Sequence, residues 1–180
     1  MAITISGSGI TSANIADGTI VNADINSSAA IDGSKLTGAG KVLQVVSFTT
    51  ASTNTFNSNS WVNSSVTATI TPTLSTSKIL IIGSIATGHN ENEHEKFIRL
   101  VRGGTAIYGT TTGFAGTGGS GYTDSEVTSQ ALNYLDSPST TSATTYTIQG
   151  RDYRSQSFFI NRSASGHIAA STLTLMEIGV

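Results

Sequence analysis

Beyond residue 40, apolar and polar side chains alternate with a period of two in a series of short stretches. Val66, Ala68 and Ile70 alternate with Thr67, Thr69 and Thr71 ahead of Pro72. That pattern predicts a strand with one buried face and one hydroxylated face. Tyr146 and Ile148 alternate with Thr145 and Thr147, and near the C-terminus Leu173, Leu175 and Glu177 alternate with Thr172, Thr174, Met176 and Ile178. Ile79 to Ile82 is continuously apolar, which predicts a strand covered on both faces. With Val42 to Phe48, Phe97 to Val101, Ala131 to Leu135 and Phe158 to Ile160, the pattern predicts about eight strands. No window sustains a helical period. Many short strands between Gly, Ser and Asn turns predict an all-β fold, an antiparallel β-sandwich or barrel. Between these, the expectation is a jelly-roll-like sandwich.

The first 40 residues follow a different rhythm. Large apolar residues stand at Ile5, Ile10, Ile15, Ile20 and Ile25, then at Ile31 and Leu36, with turn formers such as Ala16-Asp17-Gly18-Thr19 between them. A step of five matches neither helix nor strand. It suits short extended pieces joined by bends, each burying one aliphatic side chain, as in the pentapeptide repeats of a quadrilateral β-helix. Repeat folds need several stacked layers, and this segment supplies little more than one coil. The row is therefore expected to be buried between copies of the chain about a threefold axis. The competing reading is a disordered leader with a chance spacing. All twelve aromatic residues fall after this segment. The domain boundary is placed at Gly38-Ala39-Gly40, giving a segment 1–40 and a sandwich 41–180.

Composition sharpens this picture. The 180 residues include 28 Thr, 26 Ser and 19 Gly, but charged residues make up only 11%, against roughly 25% in ordinary soluble domains. Nine Lys and Arg face eleven Asp and Glu without a basic stripe, so nucleic acid is not an expected partner. The absence of cysteine excludes disulfides and thiolate metal sites. No apolar run approaches a membrane span, so no membrane insertion is expected. Met1-Ala2-Ile3-Thr4-Ile5 lacks the cationic start of a secretory signal. A chain of extracellular character without a signal or anchor is expected to leave the cell by lysis or a specialised export route. A Thr-rich sandwich also has pairing-prone edges and few charges to protect them, and closure of three copies into a ring is one solution.

The run Ile10-Thr11-Ser12-Ala13-Asn14-Ile15-Ala16-Asp17-Gly18-Thr19-Ile20-Val21-Asn22-Ala23-Asp24-Ile25 resembles the repeated isoleucine tracts of bacteriophage tail-fibre and virion structural proteins, those of marine phages and cyanophages especially. Ser77-Lys78-Ile79-Leu80-Ile81, Leu135-Asp136-Ser137-Pro138 leading to Tyr146, and Ser171-Thr172-Leu173-Thr174-Leu175-Met176-Glu177-Ile178 resemble their C-terminal sandwich domain. The likeness extends over nearly the whole chain, and the order of the motifs is its specific part. It implies a homotrimeric fibre made in the host cytoplasm and carried on the virion. Residues 1–40 would form an intertwined stalk that docks on other tail or baseplate proteins. Residues 41–180 would face a host-surface glycan or protein. The resemblance brings no catalytic residues and no cofactor.

Three constellations carry candidate chemistry. His89-Asn90-Glu91-Asn92-Glu93-His94-Glu95 is the densest ionisable cluster. Its His89, Glu91, Glu93 and His94 are weak candidates for a Zn²⁺ or Ni²⁺ site, or for a cation on the threefold axis. The spacing lacks the His-Glu-x-x-His pattern, and the competing reading is a solvated loop tip. Gly109 to Tyr122 is a long glycine-rich loop without a phosphate-loop lysine. It is either a mobile connection or a recognition loop, with Phe114 and Tyr122 as stacking faces and Asp124 and Glu126 as acceptors for sugar hydroxyls. Arg151, Arg154 and Arg162 surround Asp152 and read as ordinary surface ion pairs, as an interface, or as a contact with an acidic glycan. Asp124 and Glu126 are also the nearest approach to a glycosidase carboxylate pair. Gly116-Thr117-Gly118-Gly119-Ser120-Gly121 is out of register for a nucleophile elbow. An enzyme is therefore not expected. The sequons at Asn26, Asn63 and Asn161 carry little weight. The functional expectation is a trimeric tail fibre that mediates host attachment. Its alternatives are a purely structural baseplate, collar or capsid-decoration protein and, third, a carbohydrate-binding adhesin module.

Overall fold

The computed structural model describes residues 41–90, 96–111, 113–117, 126–153 and 157–179. The chain divides into Met1–Ala39 and Gly40–Val180, and every described residue belongs to the second unit. The aliphatic row Ile5, Ile10, Ile15, Ile20, Ile25, Ile31 and Leu36 lies outside the described residues.

Eleven strands and no helix occur among the described residues. They are β1 (Lys41–Thr50), β2 (Asn54–Phe56), β3 (Val62–Ile70), β4 (Lys78–His89), β5 (Lys96–Arg102), β6 (Thr105–Tyr108), β7 (Ala115–Thr117), β8 (Thr128–Asp136), β9 (Thr144–Asp152), β10 (Phe158–Ile160) and β11 (Ser171–Gly179). The pattern-based count omits β2, β6 and β7. These strands span three or four residues, too few for an alternation to register.

All pairings are antiparallel and form two sheets. In the first, β1 pairs β11 and β11 pairs β4 over Lys78–Ser84. β8 lies along the opposite edge of β4, from Ile79 to Thr87. β10 continues beyond β11, pairing β4 at Thr87–His89 and β2 on its other side. The second sheet runs β3-β9-β5, and β6 and β7 pair with different stretches of the far edge of β5.

The two inner faces share one apolar layer, which makes the unit a β-sandwich. Ile79, Ile81, Ile85, Leu132, Leu173 and Leu175 come from the first sheet, and Val66, Ile70, Ile98, Leu100, Tyr146 and Ile148 from the second. Each is at most 1% exposed. Truncating such an aliphatic side chain to Ala typically costs about 2–5 kcal/mol. Gly150 faces inward on β9, and a Cβ there would come within 3.0 Å of the Phe56 ring. Its missing side chain makes room for the tilted Phe56–Phe158 pair, with centroids 5.4 Å apart.

The expectation of a doubly covered Ile79–Ile82 is corrected. Ile79 and Ile81 are sealed in the core, but Leu80 is half-buried and Ile82 is 41% exposed. β4 has neighbours on both edges, yet over residues 79–84 the described residues bury only one of its faces, and both faces are covered only over residues 85–89. The continuous apolar run instead supplies part of an outer apolar band. Val45 pairs Met176, Met176 pairs Leu80, and Leu80 pairs Leu135, so one row crosses four strands. Val45 and Leu135 are each at least half exposed.

Buried polar groups tie the sandwich ends. Tyr146 is inaccessible, and its hydroxyl donates to Asp136 Oδ2 at 2.7 Å. Arg102 Nη1 reaches both oxygens of the same carboxylate, at 2.8 and 2.7 Å. This joins β5 and β9 of one sheet to β8 of the other. Burial, reinforced by the bond to Asp136, pushes the Tyr146 phenol far above its ordinary value. Asn161 adopts a left-handed backbone (φ 64°) that Asn tolerates better than most residues. Its Nδ2 donates to the carbonyls of Thr50 and Ser52, and its Oδ1 accepts from Ser171 Oγ at 2.6 Å. The Asn161 sequon is therefore closed inside the fold.

Glu177 sits inward at the end of β11 with no exposed surface. Burial alone would raise its pKa, but hydrogen bonds outweigh it. Gln44 Nε2 donates at 2.6 Å, and the Thr73 N–H and hydroxyl each donate at 2.8 Å. Ser77 also favours the anion, although its hydroxyl lacks hydrogen-bond geometry. The carboxyl is held at about 2, against an ordinary 4.5. The unfolded chain therefore takes up the proton first, and the contribution is full above pH 4.5 and lost as pH falls towards 2. Glu177→Gln should cost about 2–3 kcal/mol at neutral pH. Urea denaturation from neutral pH down to about 2 should show a flatter acid limb in the variant, and an unchanged limb would remove Glu177 as its source.

Candidate functional site: an arginine–tryptophan face on the second sheet

The outward face of the second sheet is built from the polar half of each alternation. Thr69 and Thr145 pair through their hydroxyls at 2.8 Å, and Thr67 and Thr147 at 2.9 Å. One row further, Gln149 Nε2 donates to Asn63 Oδ1 at 2.7 Å, and Gln149 Oε1 accepts from Arg99 Nε at 2.7 Å. The register explains this line, because Asn63 and Arg99 both lie opposite Gln149. On the next row Arg151 lies opposite Phe97. Trp61, half-buried just ahead of β3, meets both arginines.

The Arg99 guanidinium carbon lies 4.3 Å from the Trp61 ring centroid, and that of Arg151 lies 4.6 Å from it. Arg151 is also 5.1 Å from the Phe97 centroid. Cation–π contacts at partly exposed positions are worth about 0.5–1 kcal/mol each. Other acceptors are neutral: Thr110 O takes a long bond from Arg99 and Thr111 O one from Arg151, both at 3.4 Å. Among the described residues, neither guanidinium has a carboxylate partner, in contrast to Arg102, which pairs with Asp136. Arg151 Nε is buried without a hydrogen bond. Burial and then the neighbouring Arg151 charge push the Arg99 guanidinium below its ordinary value. The face thus offers a ring for stacking, amides and hydroxyls for hydrogen bonds, and two guanidiniums without a carboxylate partner among the described residues.

The glycine-rich segment is rooted beside this face. Gly113 N donates to Gly109 O at 3.1 Å, and Phe114 N donates to Ile98 O at 2.9 Å. Gly113 has φ 89°, and a Cβ there would lie 2.8 Å from Ile98 O. Only glycine meets both conditions without strain. The segment then forms β7 against β5, so the expectation of an uninterrupted loop is corrected. A two-residue-periodic pattern could not reveal a three-residue strand made of small residues.

The predicted site residues separate. Phe114 is half-buried and stacks on Tyr108 at 5.1 Å, and Tyr108 stacks on Tyr134 at 5.0 Å. This aromatic file bridges the β6 and β8 edges. Glu126 is exposed ahead of β8, while Tyr122 and Asp124 lie outside the described residues. His89 ends β4, buried and opposite Phe158, rather than lying at a loop tip. Glu91, Glu93 and His94 lie outside the described residues. Among the described residues no three His, Asp or Glu side chains gather to hold a metal. The late arginines divide between sites. Arg162 lies 3.8 Å above the Phe159 ring and bonds Thr55, Arg151 joins the tryptophan face, and Arg154 lies outside the described residues.

Sequence reasoning missed Trp61, Asn63, Arg99 and Gln149. A lone tryptophan beside a strand and an outward-parity arginine in Phe97–Val101 were the available signals, but only strand register brings them together. The chain matches no protein-family model and no curated protein.

Gly113→Ala should destabilise the unit by about 1–3 kcal/mol, through left-handed strain and the contact with Ile98. Trp61→Ala, at the half-buried face, should cost no more than about 2 kcal/mol. Chemical denaturation of both variants checks the order; a more costly Trp61→Ala would mark the tryptophan as part of the core.

Proposed function

We propose that this protein is a host-attachment protein of the bacteriophage tail-fibre type, binding a cell-surface glycan through the outer face of its second sheet. The observation that carries this reading is the pair Arg99 and Arg151 against the half-buried Trp61, bordered by Asn63 and Gln149. An aromatic ring beside fixed amides and guanidiniums on a rigid sheet suits sugar recognition. The sequence resemblance to phage virion proteins supplies the biological setting.

On this reading residues 1–40 form the stalk. The row Ile5, Ile10, Ile15, Ile20, Ile25, Ile31 and Leu36 is buried among three copies, and the N-terminus docks on tail or baseplate proteins. Residues 41–180 are the jelly-roll-like head. Three weak sites on one fibre, and several fibres on one particle, raise avidity by orders of magnitude. The glycine-rich segment is rooted at Gly113 beside β5; its Tyr122 and Asp124 lie outside the described residues.

A second reading is a structural baseplate, collar or decoration protein without a receptor. The apolar row Val45, Met176, Leu80 and Leu135 on the first sheet favours it, since exposed apolar patches mark contact surfaces. The two readings separate by experiment. Trp61→Ala should reduce binding of purified protein to host cells at least tenfold while the thermal transition persists; undiminished binding rejects attachment through this face. Light scattering should give about three times 18.5 kDa, and a folded monomer would reject the stalk. Val45→Asp with Leu135→Asp should leave that mass unchanged on the attachment reading and lower it on the structural one.

A further inference from the structure

The proposed attachment face has a charge imbalance that specifies its ligand further. Arg99 and Arg151 approach the same indole ring from neighbouring strands. Like charges so placed repel, and the protein supplies no anion among the described residues to offset them. Their acceptors are one side-chain amide and two distant backbone carbonyls. One N–H, Arg151 Nε, is withdrawn from water with no acceptor. A buried donor left unsatisfied is costly and calls for an explanation. In a chain with so few charged residues, two arginines on one face are a concentrated positive feature.

Resting on the attachment reading, we infer that the ligand is an anionic polysaccharide whose sulfate or carboxylate is held by Arg99 and Arg151, with an adjacent sugar ring on Trp61. Guanidinium forks pair bidentately with planar carboxylates and with sulfate-like oxyanions. An anion between the two side chains removes their repulsion and offers acceptors to the free guanidinium donors. Gln149, bonded to Arg99 and itself braced by Asn63, holds that guanidinium in place, and the two amides extend hydrogen-bonding capacity along the sugar chain. The threonine rows beyond them are neutral and hydroxylated, which suits the uncharged part of a glycan. The same chemistry argues against single-stranded nucleic acid. A phosphate backbone is tracked by an extended basic groove, whereas two arginines followed by threonines neutralise one or two charges.

The test uses the full chain and four probes: dextran sulfate, polygalacturonate, uncharged dextran and an oligothymidylate. Calorimetric titration should show binding of dextran sulfate or polygalacturonate, and which of the two binds distinguishes sulfate from carboxylate. Affinity should fall as salt rises and should drop at least tenfold in Arg99→Gln and in Arg151→Gln. Both variants should keep a cooperative thermal transition close to that of the wild type, because relief of the like-charge repulsion offsets the lost cation–π contact. Arg151→Lys, which keeps the charge and loses the fork, should retain part of the affinity. Equal binding of uncharged dextran, tighter binding of the oligothymidylate, absence of binding to both acidic polymers, or acidic-polymer binding untouched by both glutamine variants would each overturn the inference. If Trp61→Ala abolishes cell binding while Arg99→Gln and Arg151→Gln do not, the anionic ligand falls and the attachment reading stands. If Trp61→Ala binds cells normally, the attachment reading itself falls.

Discussion

One constraint governs the described unit: two antiparallel sheets must share a single dry layer. Ile79, Ile81, Leu173 and Leu175 on one side meet Val66, Ile98, Leu100 and Ile148 on the other. Because side chains alternate along a strand, sealing these residues dictates which ones face outward. Arg99 is outward because Ile98 and Leu100 are inward, and Arg151 because Gly150 and Asp152 are inward. A slip of one residue in any of these strands would reverse the faces and dismantle both the core and the arginine pair.

The polar groups drawn into that layer sit at its ends and are held by partners from distant strands. Asp136 gathers Tyr146 and Arg102 across the two sheets. Asn161 joins the end of β1 to the start of β11, and Glu177 fastens β11 to Gln44 and to Thr73 in the β3–β4 connection. Burying such groups is tolerable only when they are hydrogen-bonded. Each therefore specifies one arrangement of strand ends, where an apolar side chain would accept several. In a sandwich with so little surface charge, these clamps and the paired threonine hydroxyls do much of what charged side chains do elsewhere.

The two outer faces diverge chemically. The first sheet presents Val45, Met176, Leu80 and Leu135 in one row, a surface suited to another protein. The second presents threonine pairs, amides, two arginines and a tryptophan, a surface suited to a polar ligand. The attachment proposal rests on the second face alone, and the structural alternative draws on the first. The start of the glycine-rich segment lies at the edge of the second sheet, where Gly113 bonds back to Gly109 and Phe114 bonds Ile98 of β5.

The sequence by itself determined the longer strands and much of the core. Alternation at Val66–Thr71, Thr145–Ile148 and Thr172–Ile178 reports a local preference, set by each strand having one face against the layer, and it survives into the fold unchanged. Local pattern also marked Arg151 and Phe114 as residues of interest. Tertiary structure alone decided what they touch. Phe114 turned towards Tyr108 because Gly113 directs the chain against Ile98, and Arg151 met Arg99 and Trp61 because β9 lies beside β5 in one particular register. His89 entered a buried strand end because β10 pairs there. Residues from 61, 99 and 151 converge only once long-range pairings are made, and those pairings are chosen by the summed burial of whole faces. No short window of sequence contains that sum, so the strands were legible and the site was not.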